Sequence, residues 1–224
     1  MTTYNPDVKP GDPVQFTGST PLDIGKLAVD EKMSNNCYLL ADGDTGERLL
    51  IDPADDIDAI TAAYGREFSG IVVTHQHWDH PRALAAVVAG LHDVPVYAGR
   101  PDADAITEQT GIEVTHRVDQ GDVIHLGNQE LEVIAIAGHT PGSIALLHRD
   151  IDGEPHLFTG DSLFPGGVGA TFGDAEAFAQ LVDEVETKVF ATLPDETVFH
   201  PGHGNDGLLG DERPHVREWR ERGW

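Results

Sequence analysis

Residues 70–80 read GIVVTHQHWDH, an apolar run from Gly70 to Val73 followed by Thr74, His75, Gln76, His77, Trp78, Asp79 and His80. The run is short and rich in branched side chains, the composition of a strand buried on both faces. Behind it, three histidines and one aspartate fall within six positions. Directly after comes PRALAAVVAGL, Pro81 to Leu91, which reads as a helix with proline at its first position, where the missing N–H leaves no bond unmade. A strand that empties into clustered imidazoles, with a helix beyond, is the layout of a pre-organised ligand loop at the mouth of a sheet. With 12 histidines in 224 residues, a chance HxHxDH has odds of roughly 0.004.

The flanking sequence alternates in the same way. NCYLLADGDTGERLLID reads as a hairpin, two apolar runs around a turn of Asp, Gly and Thr. ADDIDAITAAYG suits a short amphipathic helix with acidic residues in its first turn, ended by Gly65. VPVYAG reads as a strand and PDADAITEQTG as a further helix. DVIHLGNQELEVIAIAG, SIALLHRD and PHLFTGD then read as consecutive strands. GDAEAFAQLVDEVETKVFATLP is the longest helix candidate, TVFHPGHG a last strand, and DERPHVREWRERGW a terminal helix with Trp219 packed inward. Strands in both halves, with helices between and after them, predict sheets covered by helices in one layered domain spanning residues 1–224.

Composition narrows the function. Hydrophobic residues make up 39% of the chain, enough for a core. Thirty-nine acidic side chains face 14 basic ones, a net charge of −25. Such a surface repels phosphate backbones and anionic lipid, so neither nucleic acid nor membrane is expected as a partner. No apolar run approaches a membrane span, and MTTYNPDVKPGDP has no signal-peptide pattern, so a cytoplasmic protein is expected. The one cysteine, Cys37, excludes an intrachain disulfide and reads as a small buried residue.

Downstream, His139 in AGHTPGS, Asp161 in FTGDSLF and His203 in HPGHGND each follow a strand-like run and sit among glycines, which let the backbone turn tightly toward a shared point. Imidazoles with carboxylates suit zinc, and also iron or manganese. His75, His77, Asp79, His80, His139, Asp161 and His203 make seven candidate ligands. That is too many for one tetrahedral ion, and it fits two ions that share a bridging carboxylate. Trp78 reads as a packing residue near this site, and His200 as structural. His92, His116, His125, His148, His156 and His215 read as surface or structural. PGGVG (Pro165 to Gly169) reads equally as a plain loop or as a loop on the substrate side.

HQHWDH with His139, Asp161 and His203 resembles the metallo-β-lactamase-fold superfamily, and the resemblance runs from the hairpin ending in Asp52 to His203. It implies a four-layer αββα sandwich, an α/β fold with the site at one edge of two sheets. It implies that His75, His77 and His139 hold a first divalent metal, that Asp79, His80 and His203 hold a second, and that Asp161 bridges them. Asp52 would steady a ligand loop from behind. GDSLFPGGVG and AGHTPGS look most like the glyoxalase II (hydroxyacylglutathione hydrolase) branch. Since only residues 204–224 follow His203, the resemblance is to a compact form without the branch's C-terminal substrate region. The implied activity is hydrolysis of a thioester or related carboxylic ester of a small molecule, with Asp79 also handling the proton of the attacking water. A lactonase, and a persulfide dioxygenase with one iron on His75, His139 and Asp161, are the alternatives within this fold.

Overall fold

A computed structural model describes residues 4–17, 21–91, 93–149 and 154–223; His92 lies outside them. The first half forms a seven-stranded sheet in sequence order: β1 (Gln15–Thr17), β2 (Leu22–Val29), β3 (Asn35–Asp42), β4 (Arg48–Ile51), β5 (Gly70–Val73), β6 (Val96–Gly99) and β7 (His116–Val118). β1 to β4 pair antiparallel, and β3–β4 is the expected hairpin. From β4 to β7 the pairing is parallel. Its crossovers carry α1 (Ile57–Tyr64), α2 (Leu84–Val88) and α3 (Ala103–Thr110), as parallel neighbours require.

The second half forms a six-stranded sheet. β8 (Val123–Leu126), β9 (Gln129–Ala135), β10 (Ile144–His148) and β11 (His156–Gly160) make an antiparallel meander. β14 (Val198–Pro201) adds parallel to β11, and β15 (Gly207–Leu208) closes the edge. Between them β12 (Leu163–Phe164) and β13 (Gly167–Val168) form a separate small hairpin. α4 (Ala175–Glu184) runs on into a π-helical turn, Val185–Phe190. α5 (Leu209–Glu212) and α6 (Val216–Arg222) follow.

The period-2 alternation of strand side chains divides the core into three layers of contact. Leu49 and Ile51 point inward from β4 to meet Leu146 of β10 and Phe158 of β11, the filling between the sheets. Leu50, between them in sequence, points the other way and packs with Ile60, Leu84 and Ile106 of the first helical layer. On the far side Leu147 and Leu157 meet Phe178, Leu181, Val182 and Trp219. Helix, sheet, sheet, helix is therefore the observed order of layers, as the resemblance implied.

One element is shorter than the sequence suggests. PRALAAVVAGL is helical only from Leu84 to Val88. The preceding residues coil instead in successive turns, with His80 N donating to His77 O and Leu84 N to Pro81 O, while Ala83 N is taken by Pro53 O across the loop. The turns leave Asp79 and His80 beside the strand ends, in reach of His203.

Candidate metal centre

Parallel neighbours end on the same side, so β4 with β5, and β11 with β14, each deliver two chain ends to one edge. Ligand sites in such sheets gather at these carboxyl ends. Asp52 follows β4, His75 follows β5, Asp161 follows β11 and His203 follows β14. His139 stands on the loop from β9 to β10. The two sheets are stitched together at this edge by Ile144 N donating to Thr74 O (2.9 Å) and Asn36 N donating to Gly202 O (2.7 Å).

The seven residues singled out in the sequence converge. Candidate ligand atoms of His75, His77 and His139 lie within 4.8 Å of one another, as do those of Asp79, His80 and His203, and those of His75, His80 and Asp161. The ring orientations are set from behind. His139 Nδ1 lies 2.8 Å from Ala170 O and His203 Nδ1 lies 2.9 Å from Met33 O. A carbonyl only accepts, so both rings carry the proton on Nδ1 and turn Nε2 inward. His80 Nδ1 donates to Asp52 Oδ2 (2.9 Å). The Thr74 hydroxyl donates to the same oxygen (2.7 Å), which leaves its lone pair to accept from His75 Nδ1 (3.1 Å). His77 is the exception and presents Nδ1, 2.8 Å from His139 Nε2.

The consequence is that His75 Nε2 faces His139 Nε2 at 3.3 Å, and His80 Nε2 faces His203 Nε2 at 3.3 Å. In their neutral forms these are lone pairs turned on each other, and only positive charge between them makes the approach favourable. Asp161 reaches both pairs, with Oδ1 3.4 Å from His80 Nε2 and Oδ2 3.5 Å from His139 Nε2 and 3.4 Å from His203 Nε2. Asp79 Oδ2 stands 3.4 Å from His203 Nε2 and accepts from Asn35 Nδ2 at 2.9 Å. The donor set thus fits two divalent cations sharing one carboxylate.

Electrostatics divide the site in two. Burial pushes His75, His77 and His139 below the usual imidazole range, so their lone pairs are free for a cation. Burial also works against charge on His80, but Asp161 and Asp52 outweigh it and hold this ring well above that range. At His203 burial is likewise outweighed, here by hydrogen bonds to Asp161 and Asp79, and its pKa rises to about 9. Burial opposes ionisation of Asp79 and Asp161, yet the surrounding imidazoles keep both carboxyls below their usual range.

Close approach explains one glycine. A Cβ on Gly202 would collide with Asp161 Oδ1 and come within 2.6 Å of His80 Cε1. Trp78, read as a packing residue, is instead 55% exposed, with the Arg82 guanidinium 4.9 Å over its ring. His200 is fully buried, hydrogen-bonded to His156 at 2.9 Å and with Nδ1 3.1 Å from Asp206 Oδ2, a structural role as read. Three residues near the site escaped the sequence reading, the buried Asn35 that donates to Asp79 being one. Phe172 is 79% exposed, lies in the left-handed region (φ 54°), and sets its ring 5.6 Å from that of His77. Asp102, inside what reads as an ordinary helix start, is fully buried. The signal available in sequence was only that PDADA holds two acidic residues where one would cap.

With this fold and this edge site, residues 31–203 match the family model described as the metallo-beta-lactamase superfamily, and the chain belongs to that superfamily. An uncharacterized protein of Aquifex aeolicus is 31% identical over 206 residues, 86% of this chain and 92% of its own length. A hydroxyacylglutathione hydrolase of Thermosynechococcus vestitus is 34% identical over 73% of this chain, which spans 61% of that relative's length. Among solved structures, ETHE1 from Myxococcus xanthus superposes with TM-score 0.71 at 29% identity, covering 88% of this chain and 84% of that one. TTHA1623, crystallised in a di-iron-bound form, has TM-score 0.61 at 29% identity and covers 84% and 96%. Among the described residues no helix is long and apolar enough to cross a membrane.

Proposed function

We propose that this chain is a hydrolase that cleaves a thioester or related carboxylic ester, open or cyclic, of a small molecule at a dinuclear metal centre. The observation that supports it most is the double set of facing imidazole nitrogens, His75 with His139 and His80 with His203, spanned by the Asp161 carboxylate. In this reading His75, His77 and His139 hold one ion, Asp79, His80 and His203 the other, and Asp161 both. Zinc suits these donors best, with iron and manganese next; the di-iron form of TTHA1623 keeps iron in contention. Ions bound there supply Lewis acidity to the carbonyl and make water acidic enough to attack at neutral pH.

The chain's own residues do the rest. Asp79, ionised and aimed by Asn35 Nδ2, orients the attacking water and takes its proton. Asp52 holds His80 and, through Thr74, His75 in the tautomers the site needs. Phe172 screens the His77 side from bulk water and offers an apolar surface to the substrate. The relatives named hydroxyacylglutathione hydrolase support a thioester in particular. Because the chain spans 61% of the Thermosynechococcus relative's length, the glutathione part is not carried over. The charge of −25 favours a substrate over nucleic acid or anionic membrane as partner, and we place the protein in the cytoplasm.

The test is elemental analysis of protein purified without added metal, together with thioester and ester hydrolysis. Two ions per chain with turnover are expected, and His77→Ala or Asp161→Ala should abolish turnover in a chain that still folds. Undiminished turnover in either variant sinks the scheme. A second reading, a mononuclear-iron oxygenase of persulfides on His75, His139 and Asp161, draws on the 3.5 Å approach of Asp161 to His139. One iron per chain with oxygen uptake on a persulfide would decide for it.

A further inference from the structure

Asp102 stands where α3 begins, yet its side chain makes no bond to that helix's own N-terminus. Instead it turns away and accepts from two other loops. Oδ2 accepts from Gln76 N at 2.9 Å and from the Thr140 hydroxyl at 2.6 Å. Oδ1 accepts from Gly142 N at 2.7 Å. Gln76 lies between His75 and His77, and Thr140 follows His139 directly. One fully buried carboxylate therefore ties together the two loops that carry the three histidines of the first cluster.

The surroundings are built around that contact. Thr140 Oγ1 lies 2.6 Å from Ser143 Oγ, so the serine proton can be given to Thr140 while Thr140 gives its own to Asp102. A Cβ on Gly142 would come within 2.5 Å of Asp102 N and 2.7 Å of Oδ1, so only glycine lets the loop approach this closely. Asp79, His80 and His203 hang from other supports, namely Asn35, Asp52 and Met33 O. The Asp102 clamp touches none of them.

We propose that Asp102 is a positioning residue that locks the His75–His77 loop to the His139 loop and sets the metal affinity of that half of the centre alone. The proposal rests on the two-ion reading above. A backbone held at Gln76 and Thr140 fixes where three rings meet, and ligand geometry held loosely costs metal affinity on the scale of outer-shell contacts, roughly 10- to 100-fold.

The test is a Co(II) titration of the metal-free chain, followed by its visible absorption and by ion count at equilibrium. Wild type should take up two ions. Asp102→Ala and Gly142→Ala should weaken uptake of one ion roughly 10- to 100-fold and leave the other unchanged. Thr140→Val should weaken the same ion, and Thr140→Ser, which keeps the hydroxyl, should restore it. The threonine pair decides the matter even if Asp102→Ala does not fold. Equal weakening of both ions, or no difference between Thr140→Val and Thr140→Ser, overturns the proposal. A wild type that binds one ion overturns the two-ion reading instead. The clamp is then judged on that ion, because His75 and His139 remain on the two loops it joins.

Discussion

At His75, His80, His139 and His203 the inward-facing nitrogen depends on an acceptor behind the ring. The acceptor at His80 is Asp52, which also takes the Thr74 N–H (2.8 Å) and hydroxyl. Asp52→Ala strands these three buried donors and frees the His80 ring, so we predict a 10- to 100-fold loss of metal affinity, measurable by competition with a chromophoric chelator. Gly202→Ala acts on the same site by collision with Asp161 and His80. It should lower the ion count per chain and abolish turnover, read by elemental analysis and a thioester assay on the same sample. The histidines and Asp161 were legible in sequence because imidazoles clustered with an aspartate are rare by chance. Asp102 and Phe172 were not, because a single Asp or Phe carries no pattern, and its role comes from neighbours 26 to 95 positions away in the chain, Gln76 for one and His77 and His139 for the other.

The loop after β14 is an element with its own brace. Lys26 on β2 is fully buried and donates to Pro6 O, Gly204 O and Asp206 Oδ1. The other Asp206 oxygen meets Tyr4 OH and His200. Burial opposes charge on Asp206, but His200 and Lys26 outweigh it and bring its pKa to about 2. A carboxyl depressed on folding stabilises the fold above its ordinary value and loses that contribution as pH falls toward the folded one. The metal-free chain should therefore lose about 2 kcal/mol from this group between roughly pH 4 and pH 2. Asp206→Asn should be less stable at pH 6 and show a shallower slope in that window, as urea melts at several pH values would show. Equal slopes would refute it. The start of α2 illustrates the limit of pattern reading. Pro81 signals a helix start, but the regular helix begins only at Leu84, after successive turns closed on His77 O and Pro81 O.

For the whole molecule, charge and metal act together. At −25 the folded chain repels itself, and bound divalent cations offset part of that charge at its most crowded point. Stability of the metal-free chain should rise with sodium chloride from 10 mM to 0.5 M, as the screening length shortens from about 30 Å to only a few Å. The metal-loaded chain should melt higher still, by the mass-action term for ligands that bind only the folded state. Thermal melts of both forms across that salt range check both statements. A melting temperature indifferent to salt would show the acidic surface to be fully solvated and energetically silent.

The sequence alone determined the alternation of strands and helices, the helix–sheet–sheet–helix order that the resemblance implied, and the roster of candidate ligands. Local periodicity and residue type report the alternation and the candidate ligands because these depend on near neighbours along the chain, whereas the order of layers came only from the family resemblance of the motifs. Only the tertiary structure decided that the seven side chains meet, which ring nitrogen each turns inward, and which residues hold them there. Those facts depend on parallel strand ends brought to one edge and on acceptors such as Ala170 O and Met33 O. A backbone carbonyl is the same in every residue, so nothing in the letters marks it.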